Sequence, residues 1–186
     1  MILIIAIIIG AIALDQLTKW LTVTCLEYHE TVPLWQDVFH FTHERNEGAA
    51  FGILSDHRWV FMVVSSVAIV ALLIYLIRFM PKSKIVRISL AMIAGGGIGN
   101  MIDRVYLGYV IDFIDVRLIN FAVFNIADSF VTVGAFLFMG YMIYDTVLEY
   151  KREKNAKAKK AEQEESLEEP ASDIQEESAQ DDAEEH

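Results

Sequence analysis

The sequence predicts a mainly α-helical integral membrane protein with four transmembrane helices and a small β-structure on one side. Three observations lead there. The 186-residue chain is 54% hydrophobic with a mean hydropathy of +0.37. Four long apolar stretches divide residues 1–150. The ionisable residues that interrupt those stretches fall at one depth. The net charge of -11 belongs to the end of the chain, because residues 161–186 hold 12 of the 26 acidic residues and no Lys or Arg. The body is close to neutral, and no basic face suggests nucleic-acid binding.

The first span covers about residues 2–23. It is purely apolar or small only to Leu14, so it must continue through Asp15 and Lys19 to reach the roughly 20 residues a spanning helix needs. Ala11-Ile-Ala13 looks like a cleavage site, but no basic residue precedes it and three more spans follow, so a retained helix is expected. The other spans cover about 59–79, 88–107 and 126–147. Lys82, Lys84 and Arg87 lie between spans two and three; Lys151, Arg152 and Lys154 follow span four. Basic flanks mark the cytoplasmic side, which puts both termini inside and segments 24–58 and 108–125 outside. Residues 38–42 read as a strand ending near Asn46, residues 46–52 as a turn of small residues, and residues 118–124 as a second strand. Residues 151–186 are Lys/Ala-rich and then Glu/Asp/Ser-rich, with nothing aromatic to bury; a disordered cytoplasmic tail is expected.

With this orientation the outer ends of three spans carry the unusual residues. Span one brings Asp15 and Lys19, span three Asn100, Asp103 and Arg104, and span four Asn125, Asp128, Ser129 and Thr132. Ionisable residues inside spans are costly and face protein or a wet cavity, so their convergence marks a site. Ala91, Gly95, Gly99 and Asp103 form a stripe of small residues for close helix packing.

Asp112 and Asp128 flank a short outer hairpin and can face each other. Two adjacent carboxyls do not both ionise cheaply, so one keeps a proton and the pair supplies an acid and a base. That chemistry hydrolyses a peptide bond without a metal or cofactor. Other catalytic schemes find less support: no His lies in a span, no His-Glu-x-x-His sequence is present, and Cys25 stands alone. The five histidines read as surface residues, and no metal site is expected. Structural readings stand beside the catalytic one. Asn125 suits the N-cap of span four, with Asp128 favoured by the helix dipole. Asp15–Lys19 suits an i,i+4 ion pair and Asp103–Arg104 a second. Asp115 competes with Asp112.

Five blocks together carry a resemblance: Asp15-Gln-Leu-Thr-Lys19, Arg45-Asn46-Glu-Gly48-Ala-Ala-Phe-Gly52, Gly99-Asn-Met-Ile-Asp-Arg104, Val110-Ile-Asp-Phe113 and Phe124-Asn-Ile-Ala127-Asp-Ser129. In order and spacing they resemble the signature blocks of the lipoprotein signal peptidase (signal peptidase II) family over residues 8–150. The resemblance implies four spans, an extracytoplasmic β-cradle, and an aspartyl dyad at Asp112 and Asp128. It implies a substrate site lined by Asn46, Asn100, Arg104 and Asn125, with Asp15, Lys19, Gly48, Asp103 and Ala127 close by. The implied reaction removes the signal peptide of a diacylglyceryl-modified prolipoprotein before its lipidated cysteine, in the bacterial cytoplasmic membrane. Globomycin-like peptides are the implied inhibitors. Asp103 remains an alternative dyad member; Asp112 is preferred because Arg104 adjoins Asp103. The rival reading is a small transporter or proton relay, which predicts midplane charges and repeated halves; neither is visible.

Overall fold

A computed structural model describes residues 1–48 and 58–184. The chain divides into two compact units, Met1–Tyr141 and Met142–His186. The first contains α1 (Ile2–Cys25), β1 (Thr31–Trp35), β2 (Phe39–Asn46), α2 (Arg58–Arg78), α3 (Lys84–Tyr106), β3 (Val110–Val116) and the start of α4 (Ile126–Glu184). The second unit is the remainder of α4. Residues 151–184 lie within α4, in keeping with the strong helix propensity of Ala, Lys and Glu.

Among the described residues three helices are long and apolar enough to cross a membrane: Ile2–Cys25, Lys84–Tyr106 and Ile126–Lys160. Met62–Arg78, within α2, is a shorter apolar helix. Their burial pattern is inverted relative to a water-soluble bundle. The buried residues of α1 are Ile4, Ala11, Asp15, Lys19 and Thr22, one stripe at helical spacing. Large apolar residues such as Ile9, Trp20, Val67 and Phe136 are instead more than half exposed. Apolar side chains outward and small or polar ones inward is the pattern lipid selects.

Small residues set the helix spacing. Ala91, Gly95, Gly99 and Asp103 are all buried, as their common stripe predicts. A Cβ on Gly95 would stand 2.8 Å from the Cβ of Ala11, and one on Gly99 would stand 2.6 Å from Oδ2 of Asp15. On the other side of α3, Gly96 abuts the backbone of Ala127 in α4. Toward the opposite end, Ile4, Leu76, Val86, Leu90 and Ala91 form an apolar cluster that joins α1, α2 and α3. Apolar packing thus holds one end of the bundle, and a polar cluster holds the other. Ser83 caps α3, which begins at Lys84, a turn earlier than its apolar run.

The three strands form one antiparallel sheet in the order β1-β2-β3. Strand β2 covers the strand expected to end near Asn46. The second expected strand is displaced: residues 110–116 pair with β2, whereas 117–119 form a short 3-10 turn ending at left-handed Asn120. Val110-Ile-Asp-Phe-Ile-Asp-Val is rich in β-branched residues and almost wholly buried, so it outcompetes the run after Asn120. Of that run only Phe124 bridges to the sheet, opposite Ile114. The expected turn at 46–52 lies beyond Gly48 outside the described residues.

The packing predicts a contrast between two glycines on facing helices. Gly99→Ala should lower stability by about 1–3 kcal/mol, because Asp15 is locked in place against the new methyl. Gly10→Ala meets nothing within 4 Å and should be neutral or stabilising by up to ~1 kcal/mol. Thermal unfolding in detergent compares them; equal melting temperatures would refute the close approach.

Candidate active site

The polar cluster is organised by a buried ammonium. Lys19 is 1% exposed, and its three N–H bonds meet three acceptors from two helices. Nζ lies 2.8 Å from Asp15 Oδ2, 2.9 Å from Asp103 Oδ2 and 2.9 Å from Asn100 Oδ1. Burial of a charge is tolerated only with such complete pairing. Gln16 adds a link that the sequence reading missed. Its Nε2 donates to Asp103 Oδ1 at 2.9 Å, to the Gly99 carbonyl at 3.2 Å and to Asp15 Oδ2 at 3.3 Å. The only signal for it was its place inside the Asp15–Lys19 block.

These two carboxylates also fasten the next elements. Asp15 Oδ1 accepts from the backbone N–H of Ala127 at 2.9 Å, which ties α1 to the start of α4. Asp103 Oδ2 also accepts from the N–H of Ile111 at 3.2 Å, which ties α3 to β3. Asp103 is therefore consumed by Lys19, Gln16 and Ile111. The expected Asp103–Arg104 ion pair does not form: Arg104 Nη1 donates to the Asn100 carbonyl at 3.4 Å. Successive helical residues diverge by about 100°, so their side chains cannot share a face.

Asp112 and Asp128 meet around Asn125. Asp112 is 2% exposed; its Oδ1 accepts from Asn125 Nδ2 at 2.6 Å and its Oδ2 from Asn46 Nδ2 at 3.0 Å. Asp128 is half-buried; its Oδ1 accepts from Asn100 Nδ2 at 2.7 Å and its Oδ2 from the Asn125 N–H at 3.2 Å. Asn125 Oδ1 in turn accepts from the Asp128 N–H at 2.9 Å. This reciprocal bonding is a capping box with Asp in the third position. The capping role expected of Asn125 and its place between the two carboxyls are thus compatible. Asn125 Nδ2 also reaches Asn100 Oδ1 at 3.0 Å, so Asn100 joins Lys19 to both carboxyls.

Electrostatics act strongly on Asp112. Burial, and next the charge of Asp128, push the Asp112 carboxyl up to about 7, against the lowering effect of Asn46, Asn125 and Lys19. Asn46 itself is oriented at the end of β2 by an Asx contact, the Gly48 N–H donating to its Oδ1 at 3.2 Å. That turns the amide nitrogen toward Asp112. Asp115 has a different environment, because its Oδ2 accepts from Thr42 Oγ1 at 2.8 Å and pairs with Arg117 at 2.9 Å.

Two histidines expected at the surface are buried in β2, His40 at 2% and His43 at 4%. A register shift between Phe41 and Glu44 breaks the strand's alternation so that both are enclosed, and His43 Nδ1 contacts the Leu26 carbonyl at 3.0 Å to fasten the turn after α1. His29 is exposed, 3.0 Å from Glu44. His57 and His186 lie outside the described residues. Among the described residues no three His, Cys, Asp or Glu side chains are grouped to hold a metal ion.

Removing the ammonium tests this arrangement. Lys19→Met leaves two carboxylates facing each other in a dry site and should destabilise the fold by about 3–5 kcal/mol, read as a fall in melting temperature in detergent. An unchanged melting temperature would mean the cluster is not held by Lys19.

Comparison with known proteins bears on the whole arrangement. The family model described as "Signal peptidase (SPase) II" matches residues 7–144. The chain is 44% identical over 141 residues to the lipoprotein signal peptidase of Brevibacillus brevis, covering 76% of this chain and 92% of that protein. It is 48% identical over 137 residues to that of Shouchella clausii, covering 73% and 88%. The corresponding protein of Halalkalibacterium halodurans is 41% identical over 147 residues, covering 78% and 94%. A solved bacterial membrane enzyme superposes with a TM-score of 0.72 at 32% identity, covering 77% of this chain and 88% of that one. None of these relatives is named a transporter or proton relay. With its inverted helix packing, its small sheet and most of its length matched, the chain belongs to the signal peptidase II family.

Proposed function

We propose that this protein is an aspartic endopeptidase that removes the signal peptide from diacylglyceryl-modified prolipoproteins, with Asp112 and Asp128 as the catalytic pair. The observation that carries the reading is the position of Asn125. Its amide holds Asp112 while its backbone and side chain hold Asp128, so two carboxyls are turned to one place.

Asp112, buried and raised, keeps the shared proton, and half-exposed Asp128 is the base. Asp128 takes a proton from water as the water oxygen attacks the scissile carbonyl carbon. Asp112 gives its proton to the carbonyl oxygen. The resulting diol collapses: its hydroxyl proton returns to Asp112, the proton on Asp128 passes to the leaving nitrogen, and the C–N bond breaks. One water is consumed and both carboxyls recover their starting states. Asn46, Asn100, Arg104 and Asn125 line the substrate path, with Asp15, Lys19, Gly48, Asp103 and Ala127 supporting it.

Four spans with both termini cytoplasmic suit the basic flanks at 82–87 and 151–154. The carboxyl pair then lies near the outer surface of the bacterial inner membrane. The substrate's acyl chains stay in lipid while the peptide bond before the modified cysteine reaches the polar cluster. Residues 151–186 form a separate cytoplasmic segment. Globomycin-like peptides are expected to compete for the same path.

Asp112→Asn and Asp128→Asn should each lower cleavage of a diacylglyceryl-modified prolipoprotein at least about a hundredfold while the protein remains folded. Retained cleavage in both folded variants would refute the dyad.

The pH response follows from the raised Asp112. Its proton is needed, so kcat/KM should fall as pH rises past about 7. Asn46 and Asn125 lower the Asp112 pKa, so Asn46→Ala should move the alkaline limb upward. A profile without an alkaline limb would contradict a protonated Asp112.

A further inference from the structure

The outer end of β2 carries a feature that the carboxyl cluster does not use. The Arg45 guanidinium lies over the Tyr28 ring, 4.5 Å from its centroid, and over the Tyr109 ring at 4.8 Å. Among the described residues Arg45 has no carboxylate within ion-pair distance. Its cation is held by two aromatic faces, an arrangement that favours a planar guanidinium.

Each ring belongs to a connection that reaches the site. Tyr28 lies in the turn between α1 and β1. That turn is anchored to β2 by the His29 N–H to the His43 carbonyl at 2.9 Å, the His43 N–H to the Glu30 carbonyl at 3.0 Å, and His43 Nδ1 to Leu26. Tyr28 also packs on the rings of His29 and His43. Tyr109 follows Gly108, whose φ of 89° turns the chain from α3 into β3. The next residue, Val110, pairs in register with Asn46, and Ile111 pairs with Arg45. Arg45 therefore joins the α1 turn, the end of β2 and the α3–β3 turn at the point where Asn46 must face Asp112.

We propose that Arg45, clamped between Tyr28 and Tyr109, is a positioning residue that fixes the end of β2 so that Asn46 stays hydrogen-bonded to Asp112. Adjacent strand residues project to opposite faces, so Arg45 acts through the backbone of Asn46 rather than on the reacting atoms. The inference rests on the dyad reading above. It predicts that loss of the clamp loosens one of the two amides holding Asp112 and leaves the other, from Asn125, in place.

The experiment is a double-substitution cycle on the full-length protein in detergent, with a diacylglyceryl-modified prolipoprotein as substrate. Arg45→Ala should lower kcat about tenfold with little change in KM, since small misplacements of a reacting group are costly. Its alkaline limb should move upward, as for Asn46→Ala. Arg45→Lys, which keeps a cation between the rings but not a planar one, should restore part of kcat. In the Asn46→Ala background Arg45→Ala should cost nothing further. Arg45→Gln, which keeps much of the side-chain stem, replaces Arg45→Ala if the latter does not fold. A raised KM with unchanged kcat would overturn the proposal in favour of direct substrate contact. Independent, multiplying effects of the two substitutions would also overturn it, as would an unmoved alkaline limb. An Asp112→Asn control separates the two levels: if it is inactive and the cycle is multiplicative, only the clamp fails, whereas an active Asp112→Asn removes the dyad and the clamp together.

Discussion

The ammonium of Lys19 is the constraint around which this structure is arranged. A charged group so deeply enclosed requires partners at defined distances, and those partners fix the neighbouring elements. Asp15 binds it from the same helix and reaches Ala127 in α4. Asp103 binds it from α3 and reaches Ile111 in β3. Asn100 binds it and reaches both Asn125 and Asp128. From one cation, three further segments acquire their placement. Asp112 and Asp128 are held at the edge of this network rather than at its centre. The central carboxylates are thus taken up by the ammonium and its neighbours, and the peripheral pair is the one proposed to carry the chemistry.

Such a network requires close helices, and the small residues of α3 make this possible. Gly95 and Gly99 bring α1 near, and Gly96 brings the start of α4 near. A larger residue at any of the three would separate the polar partners as well as the backbones. Packing and electrostatics are therefore not separate contributions here. The apolar cluster at the other end serves a simpler purpose, joining the helices where no polar geometry has to be met.

Much of this was legible in the sequence, for definite physical reasons. A carboxylate and an amine four residues apart inside an apolar helix have few places to go, so the Asp15–Lys19 pair was readable. The stripe from Ala91 to Asp103 follows from helical spacing alone. The strand up to Asn46 was marked by its alternation. What escaped depends on tertiary partners. Arg104 follows Asp103 in the chain, yet helical geometry gives Asp103 to Lys19 on another helix. The cation paired with Asp103 is thus Lys19, not Arg104. His40 and His43 read as surface residues because histidine is amphipathic, and only the pairing of β2 turns them inward. The outer segment 108–125 offered a strand at 118–124, whereas the β-branched residues of 110–116 are the ones that complete the sheet. Arg45 was visible within its block, but nothing in the chain order announces Tyr28 and Tyr109 as its neighbours.

The immediate partners of the carboxyl pair are three carboxamides, Asn46, Asn100 and Asn125. A carboxamide neither gains nor loses a proton over the range in which proteins stay folded. Its donor and acceptor directions are therefore the same in acid and in base. In the proposed cycle the frame around the pair would not reorganise as the proton moves, and each carboxyl would return to unchanged surroundings.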